Sequence, residues 1–180
     1  MIIKNTKGFS MVELMVTVAM LALLMGGAIA GFGILSGRSV KDAADKMESL
    51  LNSHKTVAMG KIDSYGLLYT DADGATYFEE YIVDFDKDET SEPVFVRREL
   101  VAKKEVITRY RLTNSGESYT NLGTRDNPLY ISFDRSTGGF KDLRRMNAGY
   151  ENVYLDTIEF KRGNTVRQIR LSYLTGKIIR

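Results

Sequence analysis

Glu13 is the one ionisable side chain between Phe9 and Leu35, in a stretch that is otherwise almost entirely apolar. A carboxylate at the centre of a membrane helix costs about 2.5–3.5 kcal/mol on insertion scales, and less near the interface. Intramembrane acids usually pair with a positive charge, and no lysine or arginine lies in this stretch. The sequence therefore predicts that Glu13 pairs with a group from the chain terminus, from another protein or from the lipid headgroups.

Other reactive chemistry has little support in the residues. The chain has no cysteine, and His54 is its single histidine. The sequence contains no phosphate-binding glycine loop, nucleophile elbow or zinc-protease motif. We therefore expect a protein that is not an enzyme and that binds no cofactor or metal, with His54 as a partly buried packing residue.

One loop has alternating acids, as calcium-binding loops do: Asp84, Asp86, Asp88 and Glu89. An EF-hand loop has glycine at its sixth position and glutamate at its twelfth, where this loop has Glu89 and Phe95. The sequence thus excludes an EF-hand. A looser calcium site that uses these acids, or Asp71 and Asp73, and a solvated acidic loop both remain open interpretations.

The element that carries Glu13 is long enough to cross a membrane. Residues 14–35 contain no charge, and a helix of that length spans roughly 33 Å against about 30 Å of bilayer hydrocarbon. Lys4 and Lys7 precede it without an accompanying acid, which favours a cytoplasmic N-terminus and a C-terminal head outside. We expect residues 9–35 to form a single transmembrane helix.

The sequence KGFSMVELMVTVAMLALL, residues 7–24, resembles the processing site and N-terminal helix of type IV pilins and pseudopilins. In that family a prepilin peptidase cleaves after the glycine that ends a short basic leader and N-methylates the new first residue. The resemblance implies cleavage between Gly8 and Phe9 and methylation of Phe9. It also implies an assembly role for Glu13, which would attract the Phe9 amine of a neighbouring subunit.

The apolar residues of segment 36–60 recur at the spacing of an amphipathic helix that continues into the head. Ser39 with Asp42 looks like an N-cap box, and Gly60 suits a helix C-terminus. Two interpretations remain open: one helix over residues 10–59, or two helices with a hinge at residues 33–37. The pilin resemblance favours one helix.

Residues 61–180 form short β-like runs between turn signals and predict one antiparallel β head. The expected strands number 5–7 in one mainly antiparallel sheet, drawn from residues 65–70, 76–85, 94–101, 106–113, 129–133, 154–161 and 166–173. With the N-terminal helix packed on this sheet, the fold class is α+β. The domain order is then a leader at 1–8, a transmembrane helix at 9–35, an amphipathic helix at 36–60 and the head at 61–180.

The charges are unevenly distributed along the head. Residues 61–100 carry a balance of −7, and residues 135–180 carry +6. Such asymmetry suits an anionic partner such as DNA or a charged surface, but neutralisation within the fold or between subunits explains it equally well. The basic and tyrosine residues of a DNA-binding patch would be Arg97, Arg98, Lys103, Lys104, Arg109, Tyr110, Arg111, Arg144, Arg145 and Tyr150.

The resemblance implies a structural subunit of a type IV pilus or secretion pseudopilus, and we expect a minor pilin or pseudopilin. Its implied partners are prepilin peptidase, other pilin or pseudopilin subunits, an inner assembly platform and membrane lipid. The implied location is the cytoplasmic membrane and then a surface filament. The alternatives are a competence-type pilin whose head binds DNA or another ligand, and an unprocessed membrane-anchored globular protein.

Overall fold

The computed structural model describes residues 10–60, 63–83, 92–146 and 148–179, without the side chains of residues 26–36, 145 and 148. The chain divides into two compact units, Met1–Ser36 and Gly37–Arg180. The single α-helix of the described residues, α1, has the bounds Met11–Met59. The boundary between the two units, after Ser36, lies within residues 33–37, the stretch where a hinge is one of the two interpretations of the sequence.

Within the second unit, α1 buries the apolar stripe that its sequence predicts. Val40, Met47 and Leu51 are fully buried on this stripe. The helix ends at Met59, and Gly60 follows it in a turn, as predicted. The predicted N-cap at Ser39 is wrong, because Ser39 lies inside α1 and its hydroxyl accepts a hydrogen bond from Arg162 at 3.0 Å.

The described residues of the head form two antiparallel sheets. The first sheet has the strand order β3-β2-β1-β6, and its strands are β1 Asp63–Thr70, β2 Thr76–Val83, β3 Val94–Ala102 and β6 Leu129–Ile131. The second sheet has the order β5-β4-β7-β8-β9, and its strands are β4 Ile107–Leu112, β5 Thr120–Asn121, β7 Leu155–Arg162, β8 Thr165–Ser172 and β9 Lys177–Ile179. Two short 3₁₀ helices, Leu143–Arg145 and Ala148–Tyr150, lie between β6 and β7.

The prediction of one sheet with 5–7 strands is wrong, although the seven runs correspond to seven of the strands. After β3 the chain leaves the first sheet at Ala102, and β4 pairs with β7 in the second sheet. Strand β6 then returns to pair with β1. Alternation within a strand reports which face is buried but does not report which distant strand is its partner.

Both sheets share one hydrophobic core with the second half of α1. Met47 and Leu51 of the helix belong to the same buried cluster as Phe78 of the first sheet and Phe160 and Ile169 of the second. Burial of each such side chain stabilises the fold by about 1.5–3 kcal/mol relative to exposure. The described residues thus form an α+β head in which the helix and both sheets need one another.

The turn that follows β8 requires glycine at position 176. Gly176 has a φ of 60°, and a Cβ added there would lie 1.8 Å from the carbonyl oxygen of Gly138. L-residues rarely adopt this φ, and no side chain fits so close to a backbone oxygen. Thr175 and Gly176 therefore lie in the turn that joins β8 to β9.

Candidate functional site

Glu13 lies in the first turn of α1 and is solvent-exposed. Its Oε2 accepts a hydrogen bond from the backbone N–H of Ser10 at 3.0 Å, and the Ser10 hydroxyl accepts one from the N–H of Val12 at 3.3 Å. The two bonds resemble a capping box, except that the Ser10 hydroxyl accepts the N–H of Val12 and not that of Glu13, and they satisfy N–H groups that the first helical turn leaves unpaired. The predicted cleavage residues Gly8 and Phe9 lie outside the described residues.

The N-terminal part of α1 is apolar on all sides rather than along one stripe. Every described side chain from residue 11 to residue 25 is exposed, and Met11 and Leu23 are each 78% exposed. A helix that is apolar all round needs an apolar environment, whether a protein core or a membrane. No helix among the residues that the structure describes is long and apolar enough to cross a membrane.

Two adjacent acids on β2, Glu79 and Glu80, are buried on opposite sides of the first sheet. Glu79 is 1% exposed and accepts hydrogen bonds from the hydroxyls of Tyr69 at 2.7 Å and Tyr81 at 2.9 Å. Arg125 lies 3.2 Å from the same carboxylate. Burial alone would raise the pKa of Glu79, but the tyrosine hydroxyls and the arginine outweigh it and hold the pKa below its usual range.

Glu80 faces the helix and joins it to the edge strand β3. It is 2% exposed, its Oε1 lies 2.7 Å from Nδ1 of His54, and its Oε2 accepts a bond from Arg97 at 2.7 Å. Arg97 also donates to the hydroxyl of Ser53 at 3.0 Å. Burial raises the pKa of Glu80, whereas His54 and Arg97 lower it by a greater amount, so the carboxylate stays ionised.

The sequence placed His54 as a partly buried packing residue, and the structure shows it fully buried with an acidic partner. It also packs against the rings of Phe78 and Phe133, at centroid distances of 5.8 and 5.7 Å. The sequence did not indicate this partner, because Glu79 and Glu80 lie within the acidic stretch of residues 61–100. The available signal was their position inside the apolar β2 sequence TYFEEYIV, where acids need partners.

Five arginines of the predicted DNA-binding patch are engaged in ion pairs within the chain, and one of them, Arg144, pairs with Asp142 and Glu151. Arg97 pairs with Glu80, and Arg98 pairs with Asp71 at 2.6 Å. The other two pairs lie on the second sheet, Arg109 with Glu159 and Arg111 with Asp156. These contacts agree with neutralisation inside the fold, and DNA phosphates would have to compete with them.

The acids considered for calcium have other contacts where they are described. Asp71 pairs with Arg98, and a carboxylate oxygen of Asp73 accepts the backbone N–H of Ala75 at 3.0 Å. The loop that holds Asp84 to Glu89 lies outside the described residues. Within the described part of the chain, no group of three histidine or acidic side chains is arranged to hold a metal ion.

A cleft of about 630 Å³ lies on the head and is lined by four tyrosines, Tyr65, Tyr130, Tyr154 and Tyr173. The rings of Tyr154 and Tyr173 stack at 4.5 Å, and those of Tyr65 and Tyr130 lie 5.8 Å apart. Lys141 and Asp142 add polar groups to its wall. Nothing in the sequence pattern predicted this cleft, because its walls come from strands and loops far apart in the chain.

Comparison with known protein families finds a match for the N-terminal segment of the chain. Residues 3–29 match the model of the prokaryotic N-terminal methylation motif. The match includes Gly8, Phe9 and Glu13, the residues on which the pilin resemblance rests. No curated protein and no solved structure matches the chain. Residues 3–29 therefore carry the signature of type IV pilins and pseudopilins.

Proposed function

We propose that this chain is a structural subunit of a type IV pilus or of a secretion pseudopilus, and a minor one. The observation that carries the proposal is the match of residues 3–29 to the N-terminal methylation motif. The motif supports a pilin-like protein that is structural rather than enzymatic, and it indicates a membrane-anchored and pilus-surface location. It further implies processing by a prepilin peptidase and assembly with other pilin subunits.

In this proposal, the peptidase cleaves between Gly8 and Phe9 and methylates Phe9, which then carries a positive amine. Residues 9–35 hold the subunit in the cytoplasmic membrane, with the head outside. The exposed apolar surface of α1 between Met11 and Met25 packs against other subunits in the filament. Burial of that surface supplies the driving force for assembly, and an assembly platform at the inner membrane moves the subunit into place.

Glu13 selects the neighbour and sets the register of the helices. Its only described contact is the cap at Ser10, so its charge is neutralised by no cation within the described residues. The methylated amine of Phe9 on an adjacent subunit supplies that cation. Two charges that are each costly in an apolar medium lose much of that cost when they pair.

The direct test is the mass of the N-terminal peptide of the protein isolated from its native membranes. We expect a chain that begins with N-methylated Phe9. A Gly8→Leu variant should keep the full-length N-terminus, whereas the control Lys7→Gln should still be processed. An uncleaved wild-type chain in cells with an active prepilin peptidase would contradict the proposal and support an unprocessed membrane-anchored protein instead.

A further inference from the structure

The ion pairs of the head leave the basic residues of one region without acidic partners. Most described acids of the acidic stretch, residues 61–100, form ion pairs within the chain: Glu79 with Arg98 and Arg125, Glu80 with Arg97 and His54, Asp71 with Arg98, Glu99 with Lys46 and Asp63 with Lys141. By contrast, no acidic side chain among the described residues forms an ion pair with Lys103, Lys161, Arg162 or Arg167. The charge asymmetry of the sequence thus corresponds to a group of bases that have no acidic partner among the described residues.

These bases gather at the end of the head where α1 enters it. The Arg162 guanidinium donates to Ser39, which brings the β7–β8 turn to the first turns of the helix in the head. A shallow cavity of about 330 Å³ is lined by Ser39, Asp42 and Lys103, so the β3–β4 turn lies there as well. Arg38 and Asp42 are near one another at 3.9 Å, and both are largely exposed.

A groove of about 510 Å³ opens beside this end of the helix, between α1 and strand β8. Its cations are Lys41, Arg167 and Arg170, and its one acid is Asp45. Two apolar side chains complete it, Val166 at 40% and Ile179 at 44% exposure. The groove therefore combines a net positive charge with an apolar wall.

The position of the groove in the chain suggests its occupant. Lys41 follows Leu35, the last residue of the apolar segment, by only six residues. When residues 9–35 lie in the membrane, this short spacing keeps Lys41 near the headgroups, and anionic headgroups attract lysine and arginine within a Debye length of about 8 Å at physiological salt. A phosphate group with attached glycerol and acyl carbons matches both the cations and the apolar wall.

We infer that the groove between α1 and β8 binds the headgroup of an anionic phospholipid in the leaflet from which the head emerges. This inference rests on the proposed function, because it requires residues 9–35 to lie in the membrane. The bound lipid holds the head against the bilayer before assembly. Extraction into a filament then breaks these contacts, so the lipid retains the subunit in the membrane until neighbouring subunits replace it.

The absence of cysteine allows a clean test with a single spin label. The full-length chain with Asn164→Cys carries the label on the β7–β8 turn, and Leu174→Cys carries it in the β8–β9 turn. The backbone carbonyl of Thr175, the residue after Leu174, accepts a hydrogen bond from Lys55. Because Lys55 lies 14 residues after Lys41 on α1, position 174 serves as the control label. Each protein is reconstituted into vesicles of phosphatidylcholine, with and without phosphatidylglycerol, and the label is probed with a water-soluble nickel relaxant.

We expect phosphatidylglycerol to protect the label at position 164 from the relaxant and to leave the label at 174 unchanged. Each base near an anionic surface shifts the equilibrium between docked and undocked heads roughly fivefold. The double variant Lys41→Gln, Arg167→Gln should therefore weaken docking roughly 25-fold. The matched control Arg144→Gln, Lys177→Gln loses the same charge elsewhere on the head and should still dock.

Equal accessibility of position 164 in both kinds of vesicle would overturn the lipid site, and so would equal loss of docking in the two double variants. Insertion is measured separately, by resistance of the reconstituted chain to carbonate extraction. A chain that resists extraction but shows no response to phosphatidylglycerol refutes the lipid site and leaves the proposed function standing. A chain that carbonate extracts refutes the membrane anchor and the lipid site together.

Discussion

Glu13 in the N-terminal helix and Glu80 in the head are both carboxylates among apolar residues, but their surroundings differ. Glu80 is 2% exposed and is held by His54 and Arg97, each at 2.7 Å. Glu13 is exposed and bonds only to the backbone of Ser10 within the described residues. One acid is neutralised by its own chain, whereas the other has no cation beside it among the described residues, and we propose that a neighbouring subunit supplies one.

The difference shows how the two regions use charge. A buried acid with all its partners in place ties helix, sheet and edge strand together, and removal of a single partner is costly. An acid that lacks a cation in an apolar segment is stable only where a second molecule supplies the charge. We therefore expect the head to fold by itself as a unit and the N-terminal helix to depend on other molecules, as the proposed function requires.

Loss of the Glu13 carboxylate should have the largest effect, and that effect should fall on assembly alone. We expect Glu13→Leu to abolish filament formation and to leave membrane insertion intact, because leucine suits an apolar environment but cannot attract an amine. The measurement is the amount of the subunit in sheared filaments and in the membrane fraction. Thr17→Leu is the matched control on the same helix. Normal filaments from the Glu13→Leu variant would show that assembly does not need the Glu13 charge.

Removal of the Glu80 carboxylate should instead unfold the head. Glu80→Ala leaves Arg97 and the buried His54 without their acid, and the free energy of unfolding should fall by about 3–5 kcal/mol. Chemical denaturation of the full-length protein in detergent measures this change. The control is Glu99→Ala, whose exposed pair with Lys46 at 2.9 Å should contribute about 1 kcal/mol or less. Equal losses from the two variants would mean that burial does not matter at Glu80.

Acid should weaken the head through Glu79 and Glu80. Their pKa values are lowered in the folded state, so the stability that they contribute is present above the unfolded value of about 4.3 and is lost as the pH falls through the folded values. We expect the denaturation midpoint to drop between about pH 5 and pH 3. The Glu80→Gln variant should show a smaller drop over this range, and an unchanged drop would assign the acid sensitivity to other groups.

The smallest effect should come from the outermost partner of Glu79. Arg125 is 61% exposed, and Tyr69 and Tyr81 still donate to Glu79 without it. We expect Arg125→Ala to lower the free energy of unfolding by about 1 kcal/mol or less. Lys104→Ala, which removes an exposed base without a described acidic partner, is the control. A loss as large as that of Glu80→Ala would show that the buried Glu79 carboxylate requires Arg125 as well as the two tyrosines.

The sequence predicted the parts of this fold that depend on residues close together in the chain. The amphipathic pattern of residues 36–60, the end of α1 before Gly60 and seven of the nine strands in the described residues follow from local periodicity and turn residues. The division into two sheets could not be predicted, because β4 and β5 join the second sheet before the chain returns to pair β6 with β1 in the first. The strands β5 and β9 contain 2 and 3 residues, too few to show an alternating pattern.

The N-terminal signature was determined by the sequence alone, because the motif is a linear pattern that an enzyme reads along the chain: a basic leader, Gly8, Phe9 and then Glu13. The partners of Glu79 and Glu80 were decided only by the tertiary structure, since His54, Arg97 and Arg125 reach these acids from a helix, an edge strand and a loop. The cluster of bases beside α1 that lack acidic partners was likewise decided only by the tertiary structure. Charges that are distant in sequence acquire or lose partners only when the strands pair.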